Sequence, residues 1–138
     1  MNALIKIIGT QIVDNERDVI EMTTSGTLEK TDDGWRLCYN ETEATGMEGT
    51  VTQLDIAPGR LNLMRSGTPP SMLVLEKNRR HHCNYHTPYG TIDLGTYTSE
   101  LAYKLDDHGG ELMFSYTLGF NGSVSSAHTI HITVQEEI

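Results

Sequence analysis

Residues 20–30 read Ile20-Glu21-Met22-Thr23-Thr24-Ser25-Gly26-Thr27-Leu28-Glu29-Lys30, and after Thr31-Asp32-Asp33-Gly34 the chain continues Trp35-Arg36-Leu37-Cys38-Tyr39-Asn40-Glu41. Successive side chains of a β-strand point to opposite faces, so a row repeating every second residue marks one wall of a sheet. Ile20, Met22, Thr24, Gly26 and Leu28 make such a row, opposed by Glu21, Thr23, Ser25 and Glu29. Beyond the Asp-Asp-Gly turn, Trp35, Leu37, Tyr39 and Glu41 share a face against Arg36, Cys38, Asn40 and Thr42. These are two adjacent strands, each with an inner and an outer face.

The same alternation recurs at Leu61, Leu63 and Arg65, at Leu112, Phe114, Tyr116 and Leu118, and at Ile130, Ile132 and Val134. The segment from Leu4 to Val13 carries apolar residues on both faces and is expected to be buried on both sides. Between Leu94 and Leu101 the apolar parity switches from even to odd. One extra residue near Thr98 to Glu100 explains the switch, so a β-bulge is predicted there. No window holds apolar residues at helical spacing, so any helix is a short turn. Glycine and proline punctuate the runs, as at Pro58-Gly59, Gly109-Gly110 and Asn121-Gly122, in the manner of strands joined by short turns. Eight to ten such strands leave two unpaired edges unless the sheet closes. The expected architecture is all-β, a single closed antiparallel barrel of about eight to ten strands over residues 1–138, in preference to a sandwich.

Composition narrows the function classes. The 138 residues include 10 Lys and Arg against 19 Asp and Glu, a net charge of −9, which repels phosphate backbones and anionic lipid surfaces. Neither a nucleic acid nor a membrane is expected as a partner. No apolar run approaches the roughly 18 residues of a membrane span, and Met1 to Gly9 lacks the layout of a signal peptide. A cytoplasmic location follows as an expectation. The two cysteines, Cys38 and Cys83, have no metal-binding spacing and are expected to be buried thiols rather than a disulfide.

Four stretches in order carry a resemblance: Trp35 to Glu41, Thr45-Gly46-Met47-Glu48-Gly49-Thr50, Arg65-Ser66-Gly67, and Tyr85-His86-Thr87-Pro88-Tyr89-Gly90. Together they resemble the YwiB-like family of small bacterial proteins, which carries a Leu-x-Tyr-x-Glu strand, a Thr-Gly-Met-Glu-Gly turn, an Arg-x-Gly and a Thr-Pro-Tyr-Gly corner in this order. The resemblance spans nearly the whole chain. It implies a calycin-like, lipocalin-resembling barrel of uncharacterised biochemical role. His81-His82-Cys83 departs from that pattern.

Glu41 and Arg65 stand out because each ends an otherwise apolar inner row. Inside a barrel a carboxylate and a guanidinium must pair, since each carries a desolvation penalty of several kcal/mol. Tyr39, Tyr85 or Thr87 would complete the network. The competing arrangement has both head groups snorkelling to the rim. His81, His82, Cys83 and His86 alternate between faces of an extended strand, and His82 and His86 stand about 13 Å apart in it, too far for joint ligation. No metal and no cofactor are expected. His128 shares its parity with Ile130 and Ile132 and reads as a partly buried imidazole, His131 lies on the opposite face, and the acidic residues Glu41, Glu43 and Glu48 lack the layout of a calcium loop. Neither a nucleophile elbow nor a P-loop nor a zinc-protease motif occurs.

Three function classes remain open. In the first, the interior holds a small ligand, with Tyr39, Glu41, Arg65, Tyr85, Thr87 and Tyr116 as the lining candidates and Thr24 as a further inward polar group. The barrel is otherwise filled and serves as an interaction or homodimerisation module, for which Ile5, Ile7 and Val13 are the hint. An acid–base enzyme of unidentified reaction is the third class.

Overall fold

The computed structural model describes residues 1–45, 48–66, 71–87, 90–121 and 123–137, with residues 71 and 83–87 described in backbone only. Ten strands form one antiparallel sheet: β1 (Asn2–Val13), β2 (Glu16–Lys30), β3 (Trp35–Asn40), β4 (Val51–Ala57), β5 (Arg60–Arg65), β6 (Ser71–Glu76), β7 (Arg80–Thr87), β8 (Gly90–Asp106), β9 (Gly109–Phe120) and β10 (Ser123–Glu136). Among the described residues the helical content is one 3₁₀ turn, Glu43–Thr45.

The strand order is β6-β5-β4-β3-β2-β1-β10-β9-β8-β7. Every consecutive pair is a hairpin neighbour except β6 and β7, and β1 pairs with β10 in the middle of the sheet. The sheet curls until β6 meets β8, where it is nearly closed. At this seam Lys77 bridges Thr98, the Asn78 amide donates to the Thr98 carbonyl at 2.8 Å, and Thr96 Oγ1 donates to the Val74 carbonyl at 3.3 Å. A few side-chain and backbone links replace a full ladder there.

The turns follow local chemistry. Asp14 and Asn15 both take positive φ, 51° and 66°, and they form the two-residue loop between Val13 and Glu16. That is the type I′ pattern, whose twist matches the flanking strands and which Asn and Asp tolerate well. Between β2 and β3 the backbones approach closely. A Cβ on Gly26 would stand 2.0 Å from the Cys38 carbonyl oxygen and 2.6 Å from Ile5 Cδ1.

The inner rows expected from parity are the inner rows observed. Met22, Thr24, Leu28, Trp35, Leu37, Tyr39, Glu41, Leu61, Leu63, Leu112, Phe114, Tyr116, Ile132 and Val134 are all buried. The ladder between β8 and β9 shifts register between Thr98 and Glu100, the predicted bulge. A second shift, between Val124 and Ser126, left no parity signal because the flanking residues are mostly small and polar.

One strand differs from expectation. β1 is not buried on both sides: Ala3, Ile5 and Ile7 face the core, while Leu4 and Ile12 are 41% and 45% exposed. The residues paired beside Leu4 and Ile8 are polar. Leu4 lies between Ser25 and Gln135, and Ile8 between Glu21 and His131, so no apolar layer covers that face. The partner-interface hint drawn from Ile5, Ile7 and Val13 therefore falls, because Ile5 and Ile7 are core residues and Val13 is partly buried.

The interior divides into two levels. Toward the end that carries the chain termini, Ala3, Ile5, Leu28, Leu37, Leu54, Ile56, Leu61, Leu75, Leu112 and Val134 fill the barrel with side chains. Toward the end that carries the Asp14-Asn15 hairpin, the filling stops.

Candidate functional site

The unfilled level is a cavity of about 270 Å³ bounded by β1, β2, β3, β5, β6, β9 and β10 and by Glu41 and Thr45. Its walls are mainly apolar: Ile7, Ile20, Met22, Leu63, Leu73, Phe114, Leu118 and Ile130. Among them sit Tyr39, Glu41, Thr45, Arg65, Tyr116 and His128. A second space of about 250 Å³ adjoins it, sharing Leu63, Arg65, Leu73 and Leu118 and adding Ile92, Leu94 and Phe120. Ten strands enclose a wider interior than eight, whose interior side chains just fill it. The closely packed lower rows close that extra width, whereas at the upper level, where Gly9 brings no side chain, a space stays open.

Glu41 is the best-anchored polar group. It follows β3, and its amide donates to the Thr50 carbonyl at 2.8 Å. Its side chain is 2% exposed. Thr52 Oγ1, from fully buried Thr52 on β4, donates to Oε1 at 2.6 Å. The 3₁₀ turn folds Thr45 back beneath the carboxylate, and Thr45 Oγ1 donates to Oε2 at 2.9 Å. Two hydroxyl donors thus offset part of the desolvation of the charge.

Arg65 ends β5 opposite Thr52 in the ladder. Its Nε lies 3.7 Å from Glu41 Oε1, an ion pair too long for a hydrogen bond, and the guanidinium-bearing side chain is 30% exposed. That Nε is buried and has no hydrogen-bond partner among the described residues. The expected inner pair of Glu41 and Arg65 is present, and Glu41 does not snorkel.

Aromatic groups complete the site. Tyr116 stacks on His128, with ring centroids 4.9 Å apart and planes inclined by 15°, and these two residues are direct cross-strand partners. Burial raises the Tyr116 hydroxyl above its ordinary pKa, while the positive charge of Arg65 works against it. Burial foremost, then the charge of Glu41, raises the Tyr39 hydroxyl well above its usual range, so both phenols stay protonated at neutral pH. Burial and then the Arg65 charge lower the His128 pKa, favouring a neutral imidazole. Ser126 Oγ lies 2.8 Å from His128 Nε2 and fixes the ring.

Of the residues singled out by sequence, Tyr39, Glu41, Arg65 and Tyr116 meet at this cavity. Tyr85 and Thr87 belong to β7, but their side chains lie outside the described residues, as do those of Cys83 and His86. Thr24 is buried and donates to the Asn40 carbonyl at 2.8 Å, so it ties strand to strand rather than lining the space. Thr10, Gln11, Thr45 and His128, which line the cavity, and Thr52, which anchors Glu41, were not among the site residues singled out by sequence. Glu43 and Glu48 are exposed, unlike Glu41. His81 pairs with Glu76 at 3.1 Å and His82 faces Asp93 at 3.5 Å, so the two histidines turn to different partners. Among the described residues no three His, Cys, Asp or Glu side chains gather as metal ligands, and no helix is long and apolar enough to cross a membrane.

Residues 5–132 match the family model described as Domain of unknown function (DUF1934). The chain belongs to the DUF1934 family. This DUF1934 chain is also similar in fold to the ywiB protein from Bacillus subtilis. The crystal structure of that protein aligns with a TM-score of 0.83 over 99% of this chain and 92% of that chain, at 20% identity. The YwiB-like resemblance of the four sequence stretches is thereby met at the level of family and fold. No curated protein matches the DUF1934 chain in sequence.

Proposed function

We propose that the barrel binds a small molecule in its upper cavity, in the manner of calycin-like proteins, and that it does so in the cytoplasm. One observation carries the reading: the same sheet that is filled by side chains at one level leaves about 270 Å³ at the next, with polar groups converging on apolar walls. Small-molecule sites combine these features, an apolar enclosure and a few placed polar groups. The buried Glu41 and its two threonine donors supply a fixed polar wall, and the stacked Tyr116 and His128 rings supply a flat one. The net charge of −9 suits a freely diffusing protein that avoids phosphate surfaces.

A cell-metabolite library screened by native mass spectrometry tests the proposal. Bound ligands are expected at one per chain. Ile20→Trp, which fills the cavity without touching the lower core, is expected to abolish them. Absence of any bound species from the library and from cell extracts would remove the reading, as would hits that Ile20→Trp leaves unchanged in a folded protein.

A further inference from the structure

We infer that the ligand is a compact monocarboxylate with an aliphatic body, its carboxylate held by Arg65, a statement that rests on the cavity reading above. Glu41 accepts one hydroxyl bond at each carboxylate oxygen, from Thr52 at 2.6 Å and from Thr45 at 2.9 Å. Arg65 stands 3.7 Å off, close enough to balance the charge and too far to share a proton. The guanidinium presents five N–H donors in a planar fork, and its buried Nε has no partner among the described residues. A guanidinium whose Nε–H is unspent in a partly buried place suits an acceptor that can take Nε–H and a terminal N–H in parallel, as the two oxygens of a carboxylate do.

Arg65 borders both adjoining spaces, so a carboxylate at the guanidinium leaves the body of the ligand against Leu63, Leu73 and Leu118. The main space equals about nine waters in volume and so takes a ligand of roughly that many non-hydrogen atoms. Its walls carry aliphatic side chains from β1, β2, β5, β6, β9 and β10, which suit a short hydrocarbon chain. Tyr39 and Tyr116, neutral phenols at physiological pH, add hydroxyl groups and no competing charge.

The whole-molecule charge argues in the opposite direction and makes the test sharp. A chain carrying −9 favours cations through its general field, so any preference for an anion must come from a local group. Calorimetric titration of the full chain with octanoate, 1-octanol and octylamine separates the terms. Octanoate is expected to bind at least tenfold more tightly than octanol, and octylamine more weakly than either. Arg65→Met is expected to erase the preference for octanoate over octanol. The double variant Glu41→Gln with Arg65→Met, which leaves no orphaned carboxylate, is expected to do the same, and serves if the single variant does not fold. Arg65→Lys is expected to retain part of the preference.

Equal binding of octanol and octanoate would overturn the carboxylate inference and leave the cavity reading standing. A preference for octanoate that survives the folded Arg65→Met or the double variant would overturn the role of Arg65. Binding of none of the three probes would overturn the inference, and the metabolite screen would then decide the fate of the cavity reading separately.

Discussion

Thr52 Oγ1 and Glu41 Oε1 are joined by a 2.6 Å hydrogen bond between two fully or nearly fully buried side chains, eleven residues apart in sequence and brought together by the pairing of β3 with β4. A charge with so little water depends on each donor it has. Thr52→Val keeps the shape and removes the donor, and is expected to lower folding stability by about 1–3 kcal/mol. Urea unfolding checks it. In the Glu41→Gln background the same change is expected to cost clearly less, because a neutral amide tolerates the loss better than a carboxylate.

Acid is expected to weaken the protein through His128. Its pKa is lowered in the folded chain from the ordinary 6.5 by burial and by the Arg65 charge. The unfolded chain therefore takes up the proton first as pH falls. The stability carried by neutral His128 is complete above about pH 6.5 and declines below it. His128→Phe, which keeps a ring on Tyr116, is expected to flatten the fall in melting temperature between pH 7 and pH 5. An unchanged slope would show that the imidazole is not the group responsible. His108 contributes with the opposite sign, since its bond to Glu136 raises its pKa, so part of the wild-type profile is cancelled until that residue too is replaced.

Gly26 is held by contact, not by turn geometry. Adding one methyl group places it 2.0 Å from a backbone oxygen of β3, where neither strand has a flexible end to move. Gly26→Ala is expected to destabilise by at least about 1–3 kcal/mol, visible as a lower denaturation midpoint with little change in slope.

The bulge in β8 gives a paired test of register. Thr98 opposes Tyr116 and Glu100 opposes Ser115, so Ser99 is the extra residue. Deleting Ser99 restores plain alternation and keeps Leu101 inward, whereas deleting Ala102 turns Tyr103 and Leu105 outward, a one-residue slip that exchanges the faces. The Ser99 deletion is expected to fold with dispersed amide spectra, and the Ala102 deletion to fail.

Much of this molecule was written in parity. Period-two rows are a local property, so the inner faces of β2, β3, β5, β9 and β10, the bulge, and the inward Tyr39, Glu41, Arg65 and Tyr116 could all be read before any pairing was known. What depends on neighbours could not. β1 is apolar on both faces, and only its pairing with polar rows of β2 and β10 decides that Leu4 and Ile12 meet water. Thr52 follows the parity of Leu54 and Ile56, yet a threonine carries no apolar signal to mark it. Thr45 reaches Glu41 through a 3₁₀ turn with no periodicity to read. The cavity itself is a remainder, the difference between the width of ten strands and the bulk of the side chains at one level, and no single residue encodes it.

The two-level interior has a consequence for how such a chain can change over time. Hydrophobic burial that secures folding is densest in the filled half, while Ile20, Leu73, Leu118 and Ile130 around the empty half are only partly buried and are the positions expected to lose least when replaced. Substitutions there are expected to alter what the vessel accepts long before they threaten its shape. The mouth is the part that natural variation, or a protein engineer, can re-line, with the Glu41 anchor kept as the fixed post around which new preferences are built.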